Sequence, residues 1–258
     1  MADNDSIGKT LLVTLSLCVV CAVVVSASAV MLRPLQAANQ ALDRKENILA
    51  AAGLLEPGVS VEQQFERVET RLVDLDSGEF SDAIEPGNYD QRKASKDPAL
   101  SEKVPPEQDI AKIQRRARYA EVYLVKDERG RIDKLILPIK GYGLWSTLYG
   151  FIALEGDLNT VAGIGFYEHA ETPGLGGEVD NPRWKSLWHG KKVYGEQGKV
   201  ALRVIKGKVD TTRPESVYQV DGLSGASLTS RGVHNLIQYW LGEQGFAPFL
   251  ANLRSGEA

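Results

Sequence analysis

Leu11 to Leu32 is a run of 22 residues without one charged side chain. As an α-helix it is about 33 Å long at ~1.5 Å per residue, which matches a hydrocarbon core of ~30 Å. The run exceeds the ~7–15 apolar residues of a secretory signal, although Ser26-Ala27-Ser28-Ala29 offers small residues to a peptidase. The expectation is an uncleaved transmembrane helix over 11–32 behind a leader of residues 1–10. Charge orients it weakly: Lys9 lies on one flank, and Arg33, Arg44 and Lys45 on the other. Taken alone, that balance slightly disfavours translocation of the C-terminal part. Both cysteines, Cys18 and Cys21, fall inside the run. Nothing nearby supplies further metal or cluster ligands, so they read as small membrane-helix residues.

The remainder has the balance of an ordinary globular protein, with the whole chain 43% hydrophobic and 25% charged. A net charge of −4 and the lack of a basic stripe with interleaved aromatics speak against nucleic-acid binding. Arg33-Pro34 ends the span. Leu35, Leu42 and Leu49, seven residues apart, predict a helix stopped by Gly53 and Pro57. Ser60-Val61-Glu62-Gln63 resembles a capping box. Val61, Phe65, Val68 and Leu72 then predict a second helical stripe. Residues 77–108, polar and holding Pro86, Pro98, Pro105 and Pro106, predict a long surface excursion. Residues 33–118 thus form a helical connector and a polar excursion.

Strand signals begin at Tyr119. Residues 120–125 and 132–139 flank Asp127-Glu128-Arg129-Gly130, and 148–154 and 160–167 flank Glu155-Gly156-Asp157, so two hairpins are expected. A later strand is expected over 199–206 and a short helix over 182–188. The fold class is α+β: a mixed, mostly antiparallel sheet with flanking helices, preceded by one N-terminal transmembrane helix. The α+β domain takes residues 119–258.

The stretch Asp221-Gly222-Leu223-Ser224-Gly225-Ala226-Ser227-Leu228-Thr229-Ser230 precedes a helical pattern in Val233, Leu236, Ile237, Trp240 and Leu241. Thr229 and Ser230 are expected N-caps. A helix start suits an anion, because its first N–H groups are unpaired and carry the positive end of the dipole. On these residues alone, an ordinary capped turn and a phosphate site both stand. The loops 141–146 (Gly-Tyr-Gly-Leu-Trp-Ser) and 169–177 (His-Ala-Glu-Thr-Pro-Gly-Leu-Gly-Gly) are equally open. Trp145 is either a core side chain or a surface for something flat. Lys206 and Lys208 are either solvated or counter-charges, and Lys206 continues the parity of Val200, Leu202 and Val204. His169, His189 and His234 lack the spacing of a metal triad, and no catalytic side chain is assigned.

Asp221 to Ser227 resembles the flavin-attachment motif D-x-x-[S/T]-G-A-[T/S]. It occurs in the FMN-binding domains of the Na⁺-translocating NADH:quinone reductases, in their C-type component, and of the related Rnf complexes, in their G-type component. In that family a flavin transferase joins the FMN phosphate to the last hydroxyl residue as a phosphoester. Carried over, the acceptor is Ser227 in place of the usual Thr, with Thr229 as the fallback. Ser224, Gly225, Ala226, Leu228 and Thr229 complete the attachment turn. The resemblance implies that Leu144, Trp145, Thr172 and Leu175 border the isoalloxazine ring. It gives Glu171, Gly174 and Gly176 the shaping of the loop. By its place after the strand and its parity, Lys206 is the lysine expected to offset the phosphodiester or to bond a flavin carbonyl.

The implied function is a membrane-anchored electron-transfer subunit of a Na⁺-transporting NADH:ubiquinone reductase. Covalent FMN would relay electrons from NADH towards quinone, coupled to Na⁺ export. The chain lacks a G-x-G-x-x-G turn in a βαβ context, so NADH and quinone sites are expected on partner membrane and flavoprotein subunits. The implied location is the bacterial inner membrane, with the leader cytoplasmic and the large domain periplasmic. The Rnf-type component is the near alternative. Others are an anchored binding or assembly module with a non-covalent ligand, and a stand-alone flavin reductase.

Overall fold

The computed structural model describes residues 6–258. Of the expected leader, residues 1–5 lie outside the described residues, and Ile7 to Thr10 are already helical. Helix α1 runs Ile7–Ala51 and is long and apolar enough to cross a membrane, with none of its most apolar window buried in protein. The two expected helices are one, since Pro34 lies inside it. Proline removes one helix hydrogen bond but leaves the turns on either side intact.

The chain divides into two units, one ending at Asp43 and the other running Arg44–Ala258. In the second unit, α1 ends and α2 (Val61–Phe65) follows, capped by Ser60, whose hydroxyl accepts from Gln63 N at 3.3 Å. The expected helical stripe stops there. Val68 and Leu72 instead belong to strand β1 (Val68–Asp74), paired in register with seven residues of a later strand, Val68 opposite Val125 and Asp74 opposite Tyr119. Val-Glu-Thr-Arg-Leu-Val satisfies either period locally, and the available sheet edge selects the extended form.

Residues 77–108 carry more structure than expected: β2 (Glu79–Ser81), α3 (Gln91–Ala94) and β3 (Ser101–Lys103). Buried Tyr89 pins the segment by donating its hydroxyl to the Tyr119 carbonyl at 2.7 Å. Then come β4 (Arg115–Ala117), β5 (Tyr119–Lys126), β6 (Ile132–Tyr142), β7 (Thr147–Glu155) and β8 (Val161–Glu168). The main sheet has the order β2-β1-β5-β6-β7-β8, with every neighbouring pair antiparallel. Both expected hairpins are present.

Helix α4 spans Pro182–Ser186. The strand expected over 199–206 shrinks to β9 (Arg203–Val204), because its parallel partner β10 (Gln219–Val220) has only two residues. Last come α5 (Ser227–Trp240) and α6 (Ala247–Ser255).

Strand alternation divides the core between two faces. Val122, Leu124, Leu135, Leu137, Ile139, Ile152 and Leu154 meet Val233, Leu236, Ile237 and Trp240 of α5 and Phe249 and Leu250 of α6. Tyr123, Val125, Ile136, Phe151 and Ala153 face the other way, onto Ile48, Leu49, Ala51 and Ala52. Covering both faces fixes the register of β6 and β7, and with it the position of the loop that joins them.

Candidate functional site

Helix α5 starts six residues earlier than the apolar pattern at Val233, at Ser227. Thr229 and Ser230 are not its N-caps; that position falls to Ala226, which makes no side-chain cap bond. The two hydroxyls instead turn inward. Ser230 Oγ accepts from Leu223 N at 2.8 Å and donates to Ala226 O at 3.0 Å, tying the turn to the first helical coil. Burying Leu223 and Ala226 pulls the chain into the helix early. The turn is made at Gly225, whose φ of +72° is one that side-chain-bearing residues rarely adopt.

The three loops meet at one carboxylate. Glu171 is 4% exposed. Its Oε1 accepts from the N–H groups of Leu144 (3.0 Å), Trp145 (2.9 Å) and Ser146 (3.2 Å). Its Oε2 accepts from Thr229 Oγ1 at 2.6 Å. One side chain therefore joins the β6–β7 loop, its own loop and the first turn of α5. Burial alone would raise its pKa; the Thr229 hydroxyl and the three N–H groups outweigh that and hold it below the ordinary 4.5. Gly176 packs so closely that an added Cβ would lie 2.6 Å from both Glu171 Oε2 and Thr229 Oγ1. His169 supports the loop rather than facing outward freely: Nε2 meets Asp180 Oδ2 at 2.7 Å and Nδ1 accepts from Glu171 N at 3.2 Å.

Around this knot the apolar side chains are exposed. Trp145 is 66% accessible, so it is not a core residue. Leu175 and Leu228 are 44% and 51% accessible, and Leu144 and Thr172 also reach solvent. Leu175 lies over Gly225, where its Cδ2 would be 3.0 Å from an added Cβ. Gly174, with φ +74°, makes the bend that brings Leu175 there.

The candidate acceptor hydroxyls differ sharply. Thr229 is fully buried and its hydroxyl is engaged by Glu171. Ser224 and Ser227 are exposed. Ser227 lines a cavity of about 220 Å³ with Lys206, Gly207, Gly222, Ser230, Arg231 and His234, among others, and none of its lining residues is acidic. Lys208 is not part of that wall. Ser227, Arg231 and His234 stand four and three residues apart, so they share one helix face. Burial, and then the charge of Arg203, keep His234 below the ordinary 6.5, and its Nδ1 is buried without a hydrogen-bond partner.

Sequence reasoning missed Arg231 and His234 as members of this wall, although their spacing from Ser227 was legible once the helix start is moved forward. Lys206 does reach the cavity, as parity suggested. Among the described residues, no cluster of His, Cys, Asp and Glu could hold a metal ion.

The FMN-binding domain family matches residues 143–242, from the β6–β7 loop to just past α5. The NqrC component of the Na⁺-translocating NADH-quinone reductase of Pseudomonas aeruginosa is 58% identical, over 100% of both chains. Its Yersinia pestis counterpart is 50% identical, over 98% of this chain and 96% of its own. The crystal structure of Shewanella oneidensis NqrC superposes with a TM-score of 0.75 at 38% identity, covering 82% of this chain and 96% of that one. Full-length identity at this level, together with the shared fold, gives the assignment: the chain belongs to the NqrC family of the Na⁺-translocating NADH-quinone reductases.

Proposed function

We propose that this chain is the membrane-anchored FMN carrier of a Na⁺-translocating NADH-quinone reductase, with the flavin attached as a phosphoester to Ser227 Oγ. One observation carries the reading. Ser227 is the exposed hydroxyl that ends the Asp221–Ser227 motif, and it opens onto a wall of Lys206, Arg231 and His234 without a carboxylate. The burial of Thr229 and its bond to Glu171 weigh against Thr229 as the acceptor.

The residues fit a flavin mononucleotide in kind. A helix start and two cationic side chains suit a phosphate. The orphaned His234 Nδ1 suits a polar group entering the cavity. Exposed Trp145, Leu175 and Leu228 suit a ring. Bound FMN supplies one- and two-electron chemistry that no side chain here provides. The chain's own contribution is positional. Glu171 fixes the loops, Leu144, Trp145, Thr172 and Leu175 border the ring, and Ser224, Gly225, Ala226 and Leu228 shape the attachment turn. Attachment forms an Oγ–P bond, with loss of the hydroxyl proton and departure of the leaving group from an activated flavin nucleotide on the transferase.

The flavin-binding role is placed in residues 119–258, braced by 44–118. Helix α1 anchors the chain in a bacterial inner membrane with residues 119–258 on the periplasmic side. There a covalent tether keeps the cofactor at high local concentration. NADH oxidation and quinone reduction belong to partner subunits. Intact-mass measurement on chain produced beside a flavin transferase tests the reading. The added mass of one FMN phosphoester is expected and should vanish in Ser227→Ala; an unmodified wild-type chain, or a modified Ser227→Ala chain, refutes it.

A further inference from the structure

The attachment turn separates two cavities. Ser227 lines one, of about 220 Å³, with Lys206, Gly207 and Arg231. Ser224 lines the other, of about 440 Å³, with Arg183, Trp184 and Asp221. Gly222 and Leu223 border both. Asp221 opens the Asp221–Ser227 motif, yet it is not on the wall of the Ser227 cavity. A carboxylate facing the other cavity does not act on the Ser227 hydroxyl directly.

Its contacts run to the backbone instead. Asp221 Oδ1 accepts from Val209 N at 2.8 Å, and its carbonyl accepts from Trp184 Nε1 of α4 at 2.8 Å. The first of these bonds closes a wrap of residues 205–209 around residues 220–222. Ile205 N donates to Val220 O at 2.9 Å, and Gly222 N donates to Gly207 O at 2.9 Å. The two segments lie so close that a Cβ on Gly222 would be 2.4 Å from Ile205 O. Gly207, with φ +84°, turns the chain between these ties. Among the described residues, Asp221 is the only one whose side chain hydrogen-bonds the backbone of 205–209. Lys206 stands inside that wrap and is exposed, so backbone ties rather than packing place it beside Ser227.

We propose that Asp221 is a positioning residue of the attachment reaction, acting as a hydrogen-bond acceptor that holds the Lys206 loop against the turn bearing Ser227. The inference rests on Ser227 as the acceptor. In the step itself the Oγ–P bond forms while the anhydride P–O bond of the activated flavin nucleotide breaks. The leaving phosphate takes the electron pair, and the hydroxyl proton passes to a base other than Asp221. A lysine fixed in advance meets the phosphoryl group without reorganisation, which is where positioning contributes to rate.

The test follows the initial rate of covalent labelling of the full-length chain in detergent, with the flavin transferase and flavin adenine dinucleotide. Asp221→Ala should slow labelling about tenfold, the rate equivalent of one hydrogen bond. Asp221→Asn keeps an oxygen for the Val209 N–H and should stay within about twofold of wild type. Lys206→Met should slow the wild-type background severalfold and add nothing to Asp221→Ala, because the lysine is no longer placed there. In the unaltered chain the Val209 amide should be protected from hydrogen exchange, a reading that stands even where Asp221→Ala fails to fold. Labelling of Asp221→Ala at the wild-type rate overturns the proposal. So does Asp221→Asn as slow as Asp221→Ala, which would make the charge the active property. Equal effects of Lys206→Met in both backgrounds, or a freely exchanging Val209 amide, overturn it as well. An unlabelled wild-type chain, or a labelled Ser227→Ala chain, instead refutes the acceptor itself.

Discussion

Replacing Glu171 separates its charge from its shape. In Glu171→Gln one oxygen remains to accept from the N–H groups of Leu144, Trp145 and Ser146. The amide nitrogen then faces Thr229 Oγ1, which must turn to accept instead of donate. The loss is charge assistance, since bonds to an ionised acceptor contribute ~1.5–3 kcal/mol against ~1 for neutral ones. The four bonds share one carboxylate and are not additive, so a net cost of about 1–2 kcal/mol is expected. Glu171→Ala also strands a fully buried Thr229 hydroxyl. It should cost about 3–5 kcal/mol, as for removing one partner of a buried network.

The sign with pH follows from the depressed pKa. The folded carboxyl titrates below its ordinary 4.5, so its ionised form stabilises the fold fully above that value. The contribution fades as pH falls through the depressed value. The gap between wild type and Glu171→Gln should therefore be present at pH 7 and close on acidification. Unfolding of the full-length chain without flavin, followed by tryptophan fluorescence, reads this at about 2–4 °C per kcal/mol. Equal midpoints at pH 7, or a gap that widens towards acid, would refute the account of Glu171 as an ionised tie between loops.

Four other outcomes are expected. Thr229→Ala should keep the covalent flavin while lowering thermal stability, measured by in-gel flavin fluorescence and melting; loss of label with an intact fold would move the acceptor to Thr229. Trp145→Ala should leave labelling unchanged and alter the flavin absorption band, because an exposed indole contributes little to the core; an unaltered spectrum would detach Trp145 from the ring. Lys206→Glu should reduce the labelled fraction severalfold, by putting a carboxylate into the wall around Ser227, whereas Lys208→Glu should not; equal effects would show that the wall is irrelevant. Gly232→Ala should destabilise by about 1–3 kcal/mol in denaturant titration, because its Cβ would lie 2.5 Å from the Tyr142 carbonyl; a neutral result would mean that the loop yields there.

Much of the fold was legible because its signals are local. An uncharged run of 22 residues needs no partner to declare a helix. Alternation in Leu135, Leu137 and Ile139, and the helical spacing of Val233, Leu236, Ile237 and Trp240, record which side of each element is buried. The Asp221–Ser227 motif is contiguous, so its order survives without a structure. The misreadings arise where a distant partner decides. Val68 and Leu72 fit a helical stripe until β5 offers seven paired positions. The strand expected over 199–206 is cut to two residues by the length of β10.

The site divides in the same way. By itself the sequence determined which hydroxyls compete and which loops carry glycine and tryptophan. Only the tertiary structure decided that Thr229 is buried against Glu171 while Ser227 opens onto Lys206, Arg231 and His234. The physical reason is that Thr229 and Ser227 lie two residues apart on a helix, which turns about 100° per residue. Neighbours in sequence therefore face opposite environments, and only the packing of α5 against the loops fixes which one meets solvent.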